Sequence, residues 1–163
     1  MTETAFSEVM NRLDGAAAPA PAPVATPRPM YDAPLPEPLR SYIAQGTSAA
    51  AGELPWQRLG LGAYHIPIPT QDRSATARLL RIPAGRPVPA HSHGGLELTL
   101  VLSGAFTDGD TLFAAGDLEE ADESVTHQPH AVPGEDCICL AVTDAPLRFK
   151  SPIVRAIQPL LGI

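Results

Sequence analysis

Two histidines separated by one residue, His91 and His93, precede an apolar segment and could together bind a metal ion. Because side chains alternate across a strand, residues two apart share a face, and both imidazoles can converge on one ion. Glu97 has the same parity and can add a carboxylate if the glycines at 94 and 95 let the chain bend inward. His127 would come from a different hairpin and complete a set of three histidines and one carboxylate.

The chemistry of this set favours a transition metal. Neutral imidazoles with one anion suit zinc, or iron, manganese and nickel at higher coordination number. A lone His-x-His pair in a strand is more often incidental, but the flanking glycines, the glutamate and the later histidine favour a true site. We therefore predict one divalent metal, zinc as the first expectation, with the following ligands: His91, His93, Glu97 and His127.

Two further histidines and both cysteines remain outside this set. His130 is predicted to be an exposed turn residue, with a role beside a substrate or behind a ligand as the alternative. His65 lies in a strand-like segment and is either a core residue or a rim group. Cys137 and Cys139 share one face of one apolar strand, which makes them a poor disulfide pair. They are predicted to be small buried side chains.

Composition limits the class of protein. A chain of 163 residues suits one domain with an appendage. The net charge of −7 opposes nucleic-acid binding, which requires a basic patch. No apolar run reaches the roughly 18 residues of a membrane span, the start does not resemble a signal peptide, and two cysteines do not make a secreted disulfide framework. A cytoplasmic location is expected. An acidic stretch from Asp108 to Glu123 is interpreted as a solvated hairpin edge, with a cation-attracting rim as the alternative.

The distribution of turn residues predicts an all-β domain. The 19 prolines and 13 glycines punctuate short apolar segments, and no long helix is expected after residue 55. Short strands at near-regular spacing favour a sandwich or barrel, and a double-sheet jelly roll fits. The clearest predicted strands are 61–68, 76–82, 96–102, 111–116 and 137–142.

The beginning of the chain has a different pattern. Residues 2–14 could form a short amphipathic helix ended by Gly15. In residues 16–38, 15 of 23 positions are alanine or proline, which predicts a semi-rigid spacer without helix or sheet hydrogen bonds. The chain is therefore divided into residues 1–38, a helix with an Ala/Pro-rich linker, and residues 39–163, the β-domain.

The spacing of glycines and ligands resembles the two motifs of the cupin superfamily. From Gly85 to Gly104 the sequence reads G-x5-H-x-H-x3-E-x6-G, which is similar to the first cupin motif. His127 follows Gly116 by 11 residues, as in the second motif, although Asp122 and Ser124 replace the usual proline and glycine. The resemblance implies a double-stranded β-helix, the cupin jelly roll.

A longer part of the chain, from about residue 36 to the end, resembles the cupin-like domain of ChrR-type anti-sigma factors. The specific stretches are HSHGGLELTLVLSGAF, CICLA followed by APLRF, and the ending QPLLGI. The resemblance implies zinc at the four predicted ligands and a sensory role, in which singlet oxygen or organic hydroperoxides release a bound extracytoplasmic-function sigma factor. It also raises the alternative that Cys137 or Cys139 is a redox-responsive thiol near the metal. The N-terminal zinc domain that holds the sigma factor in such proteins carries H-x3-C-x2-C, which this sequence lacks. A sigma-factor partner is therefore expected only through such a domain.

Two functional classes stay open. The first expectation is a regulator whose metal is structural or sensory, and the second is a small stand-alone cupin enzyme, of dioxygenase, isomerase or lyase type. A homodimer is also expected. If Glu97 points into the barrel, the leucines that alternate with it from Leu96 to Leu102 need cover from other elements or from a second subunit.

Overall fold

The computed structural model describes residues 35–46, 54–60, 62–71 and 74–161, which form two helices and twelve strands. The helices are α1 (Glu37–Gly46) and α2 (Pro152–Leu161). The strands are β1 (Gln57–Gly60), β2 (Ala63–Ile68), β3 (Thr76–Ile82), β4 (His91–Ser92), β5 (Glu97–Ser103), β6 (Ala105–Asp108), β7 (Thr111–Ala114), β8 (Leu118–Ala121), β9 (Thr126–His127), β10 (His130–Ala131), β11 (Cys137–Thr143) and β12 (Arg148–Phe149).

The strands form one large and two small antiparallel sheets. The large sheet has the order β1-β2-β3-β11-β5-β8, and the small sheets have the orders β10-β6-β7 and β12-β4-β9. The late strand β11 lies between the early strands β3 and β5, so the two ends of the domain are joined within one sheet. The predicted all-β class is confirmed.

Strand register separates an inner from an outer face of the large sheet. Arg78, Ala141 and Thr99 lie side by side on β3, β11 and β5, and Glu97 lies opposite Thr143 in the next row on the same face. We call this side the inner face. Because side chains alternate, the neighbouring residues on each strand point to the opposite, outer face.

The main core lies on the outer face and is covered by α1. Leu35 and Ile43 pack there against the fully buried Ile66 and Leu79. Leu102 packs against this cluster, so part of the leucine face predicted on β5 is covered from within the chain. Leu96, directly before the first residue of this strand, remains 38% exposed. The homodimer stays a prediction.

Both helices differ from the sequence-based expectation. Helix α2 lies after residue 55, where no long helix was expected, and Pro152 occupies its first turn, where a missing N–H costs no hydrogen bond. Glu37 and Pro38, the last residues of the predicted spacer, form the first turn of α1 for the same reason. The helix predicted at 2–14 and the spacer up to residue 34 lie outside the described residues. No helix in the described ranges is long and apolar enough to cross a membrane.

Candidate metal centre

Three short segments from two sheets bring the predicted ligands together. His91 in β4 pairs directly with His127 in β9, so these side chains lie on the same side of the small sheet. His93 follows β4, and Glu97 begins β5 of the large sheet. One ligand atom from each of the four residues lies within 4.8 Å of all the others.

The imidazole nitrogens of this cluster face one another at short range. The Nε2 atom of His127 lies 3.0 Å from Nε2 of His93 and 3.1 Å from Nε2 of His91. All three histidine side chains are almost fully buried. His91 is 3% exposed, His93 is 2% exposed and the His127 side chain is 5% exposed. Tetrahedral zinc, with bonds of about 2.0–2.1 Å, holds neighbouring ligand atoms roughly 3.3 Å apart, close to these distances.

The hydrogen bonds of the other ring nitrogens assign the tautomers of two of these histidines. The Nδ1 atom of His91 lies 2.8 Å from the carbonyl oxygen of Pro89 and donates to it. The Nδ1 atom of His127 donates to a carboxylate oxygen of Asp108 at 3.0 Å. A neutral imidazole carries one N–H, so both Nε2 atoms present lone pairs. Two lone pairs facing each other at 3.1 Å repel unless a cation lies between them.

The remaining pair, His93 and Glu97, has polar atoms that are buried without hydrogen bonds. Nδ1 of His93 and Oε2 of Glu97 lie 2.9 Å apart, yet neither has a partner with hydrogen-bond geometry among the described residues. Burial would raise the pKa of Glu97, but interactions with His93, and then with His91 and His127, outweigh it and lower that pKa. Glu97 is therefore an anion aimed at the three imidazoles, and the donor set fits a divalent metal.

Two carboxylates behind His127 were not predicted as functional residues. Asp108 in β6 accepts its hydrogen bond, and Oε1 of Glu119 in β8 lies 3.7 Å from the same Nδ1 atom. Burial would lower the pKa of His127, but these two carboxylates raise it more. The acidic stretch from Asp108 to Glu123 was the sequence signal, and two of its members lie beside His127. The cation-attracting rim stays a prediction.

A tight turn between the ligands depends on the glycines at 94 and 95. Oδ1 of Asp144 accepts the N–H of Leu96 at 2.7 Å, which ties the turn to the loop after β11. A Cβ atom at Gly95 would collide with that carboxylate, and one at Gly94 would approach the carbonyl oxygen of Pro146 to 2.9 Å. The glycines thus allow the close approach that brings Glu97 back toward the preceding histidines.

The other candidate residues lie apart from the four. His130 is exposed, as predicted, although it lies in β10 and not in a turn. His65 is buried in β2, and its Nδ1 atom has no hydrogen-bond partner among the described residues. Cys137 and Cys139 are free and buried. Their mutual hydrogen bond lowers the pKa of Cys137 and raises that of Cys139.

The fold and the sequence both match known proteins. The family model of the ChrR cupin-like domain matches residues 44–146. The chain is 45% identical over 164 residues to the anti-sigma-E factor ChrR of Cereibacter sphaeroides, covering 100% of this chain and 72% of that protein. The chain therefore belongs to the family of the ChrR cupin-like domain.

Solved structures agree with this assignment. The crystal structure of Rhodobacter sphaeroides SigE in complex with the anti-sigma ChrR is similar with a TM-score of 0.57 and 41% identity, covering 88% of this chain and 67% of that chain. An RmlC-like cupin protein from Ralstonia eutropha, 21% identical, shows the same fold with a TM-score of 0.56 over 64% of this chain and 71% of that one. The predicted cupin jelly roll is confirmed, and the chain is a homologue of the ChrR anti-sigma factor with a cluster of histidines and a glutamate that could hold a metal.

Proposed function

We propose that this chain is the metal-binding sensory domain of a ChrR-like regulator that responds to singlet oxygen or hydroperoxides in sigma-factor-controlled transcription. The metal is one divalent ion, zinc in the first instance, held by His91, His93, Glu97 and His127. The observation that carries the proposal is the convergence of imidazole lone pairs and an anionic carboxylate at one buried point.

The four residues divide the work at this centre. The imidazoles supply neutral donors, and Glu97 supplies the negative charge that a buried divalent cation requires. Asp108 holds the proton on Nδ1 of His127 and so keeps Nε2 free to bind. When bound, zinc would link two sheets and act as a Lewis acid. Four protein ligands fill a tetrahedral shell, which favours regulation over turnover.

Oxidant-dependent metal release tests the sensory role. Zinc-loaded chain is exposed to singlet oxygen from a photosensitiser, or to an organic hydroperoxide, and released zinc is followed with a colorimetric chelator. We expect release that depends on the oxidant dose, in wild type and in the control His130→Ala, whose exposed histidine lies outside the set. Full retention of zinc at doses that oxidise free thiols would contradict the sensory role.

The sigma factor is the proposed partner, as SigE is for ChrR in the similar crystal structure. In this proposal an N-terminal zinc domain of the regulator, with the H-x3-C-x2-C pattern, makes the inhibitory contact with the sigma factor, and residues 39–163 form the sensory domain. A cytoplasmic location follows from the proposal, because sigma factors act in the cytoplasm. A pull-down of residues 1–163 with a sigma factor of the same genome should therefore show weak binding. The short helix predicted at residues 2–14 offers only a small apolar surface, and association itself costs about 4–15 kcal/mol. Nanomolar binding would show that the cupin domain itself contacts the sigma factor.

The alternative of a metal-dependent enzyme is favoured by a different observation. A cavity of about 560 Å³ has Glu97 in its wall, so a small molecule could approach the centre. Turnover would require an open coordination position, with iron, manganese or nickel in place of zinc. The chain is loaded with each metal, and dioxygen consumption is measured with organic acids as substrates. Consumption would favour a dioxygenase, and none would favour a purely sensory centre.

Association of two copies belongs to the same proposal. Leu96 and Leu118 remain exposed at the edge of the leucine face, 38% and 56% respectively, and a two-fold partner could cover them. Light scattering at high micromolar concentration should give the mass of a dimer. A monomer mass there would remove this part of the proposal.

A further inference from the structure

A groove beside β12 and α2 has three cationic side chains in its wall. It has a volume of about 760 Å³, and its wall includes the cations Arg148, Lys150 and Arg155 and the apolar residues Pro146 and Leu147. The three cationic residues are exposed, and none of them has an ion pair or a side-chain hydrogen bond with another described residue. No aspartate or glutamate occurs from position 145 to position 163. We call this surface the cationic groove.

Hydrogen bonds hold the backbone of the cationic groove in place. Strand β12 pairs with β4, and Phe149 is buried while its neighbours Arg148 and Lys150 are exposed, as expected for side chains that alternate along a strand. The side-chain amide of Gln158 in α2 donates to the carbonyl oxygen of Leu147 at 2.6 Å, so the helix is tied to the residue before β12. A surface that is already ordered loses little conformational entropy when a partner binds.

A second surface, on β8, has the opposite charge. This strand is the last one in the large sheet, so one of its sides has no strand partner among the described residues. Leu118 is 56% exposed, Glu120 on the same face of the strand is exposed, and Glu123 is exposed in the turn that follows. Neither glutamate has an ion pair or a side-chain hydrogen bond with another described residue. We call these three residues the acidic edge.

We propose that the cationic groove binds the acidic edge of a second copy of this chain. The two glutamates of the edge pair with cations of the groove, and Leu118 packs against Leu147 of the other copy. Each surface supplies what the other lacks, a charge of opposite sign and an apolar side chain. The inference deepens the proposed association of two copies and rests on it, whereas it is independent of the metal centre.

The net charge of the chain favours this occupant over a polyanion. At −7 the chain repels a nucleic acid, whose phosphates are closely spaced along its whole length. Two copies of the chain repel each other as well, except where a basic surface meets an acidic one. The cationic groove and the acidic edge are such a pair.

Sedimentation equilibrium of the full chain measures the association and its dependence on salt. Exposed ion pairs are screened by salt, so we expect the association constant to fall at least about 10-fold between about 20 mM and about 500 mM sodium chloride. The groove variant combines Arg148→Glu with Lys150→Glu, and the edge variant combines Glu120→Lys with Glu123→Lys. Each alone should associate about 10- to 100-fold more weakly than wild type at low salt, because like charges then meet. An equimolar mixture of the two variants should regain association, because opposite charges meet again.

Matched controls place the same charge changes at exposed positions outside both surfaces. Arg58→Glu with Arg86→Glu matches the groove variant, and Asp110→Lys with Glu135→Lys matches the edge variant. We expect each control to associate more strongly than the variant that it matches. Circular dichroism verifies folding, and the neutral pair Arg148→Gln with Lys150→Gln replaces a groove variant that does not fold.

Three results would overturn the assignment. A wild type that is monomeric at high micromolar concentration and low salt would remove the second copy and leave the groove to an acidic segment of a different protein. Variants that associate as their controls do would defeat the two surfaces but leave the proposed association of two copies standing. A mixture no more associated than its components would exclude direct pairing. Zinc content, measured on the same samples, reports on the metal centre separately from all three.

Discussion

Hydrogen bonding of the Nδ1 atoms determines what the clustered histidines can bind. Pro89 fixes the proton of His91 and Asp108 fixes that of His127, so the Nε2 lone pairs of both residues meet 3.1 Å apart. A proton shared between them would satisfy one contact, but Glu97 and His93 add an anion and a further nitrogen at the same point. A divalent cation satisfies all four residues together.

At this scale Asp108 has a testable role. Asp108→Asn removes the charge that orients His127, and we expect metal affinity to fall about 10- to 100-fold, as for other carboxylates behind metal-bound histidines. Glu119, 3.7 Å away, could replace it in part, so Asp108→Asn combined with Glu119→Gln should lose more. Competition with a chromogenic chelator measures the affinity. Asp110→Asn, an exposed residue of the same hairpin, is the control, and equal affinity in all four proteins would refute the role.

His65 gives a prediction about pH. Burial and the charge of Arg78 lower the pKa of His65, so the unfolded chain binds this proton more readily than the folded chain. Its contribution to stability is therefore complete above the ordinary pKa of 6.5 and is lost as the pH falls from there toward the lower folded value. Urea unfolding of metal-free chain at about pH 8 and about pH 5 should show a smaller loss for His65→Leu than for wild type. An identical loss in both proteins would contradict this. The control His130→Leu removes an exposed histidine.

At the scale of elements, the sequence predicted the long strands better than the short ones. The predicted strand 76–82 coincides with β3, and 137–142 lies within β11, because short apolar segments between turns are a local signal. The two-residue strands β4, β9, β10 and β12 exist only because distant segments pair, so local pattern does not reveal them. Both helices contain prolines, which obscured their helical pattern.

In the candidate site, too, residues close in sequence were predictable, whereas contacts between distant segments were not. His91, His93 and Glu97 lie within seven positions of one another, and their spacing carries the ligand pattern. The partners of His127 depend on where β6 and β8 meet β9, which is a property of the folded chain. The cavity beside Glu97 likewise depends on strand register.

The turn between β4 and β5 leaves little room for a side chain at Gly95. Gly95→Ala would place a Cβ atom against the carboxylate of Asp144, and we expect a loss of about 1–3 kcal/mol in the free energy of unfolding, together with weaker metal binding. In the double variant Gly95→Ala with Asp144→Ala the colliding carboxylate is absent. The loss in the free energy of unfolding should therefore be smaller than the sum of the losses in the two single variants. Chemical denaturation of the four proteins measures this coupling. Strict additivity would show that the two positions do not meet.

For the whole molecule, the proposed metal would connect elements that otherwise share few contacts. His91 and His127 belong to the small sheet β12-β4-β9, whereas Glu97 belongs to the large sheet. An ion bound by both would cross-link the two layers of the jelly roll in the folded state only. Since such binding stabilises the folded chain by mass action, chelation should lower the melting temperature.

Elemental analysis of purified, metal-supplemented chain tests the central claim most directly. We predict one equivalent of a divalent metal per chain, zinc foremost, in wild type and in the control His130→Ala. His91→Ala and His127→Ala should lose most of the metal and the stability that it confers. A content below roughly a tenth of an equivalent in wild type, or full occupancy in both ligand variants, would contradict the account.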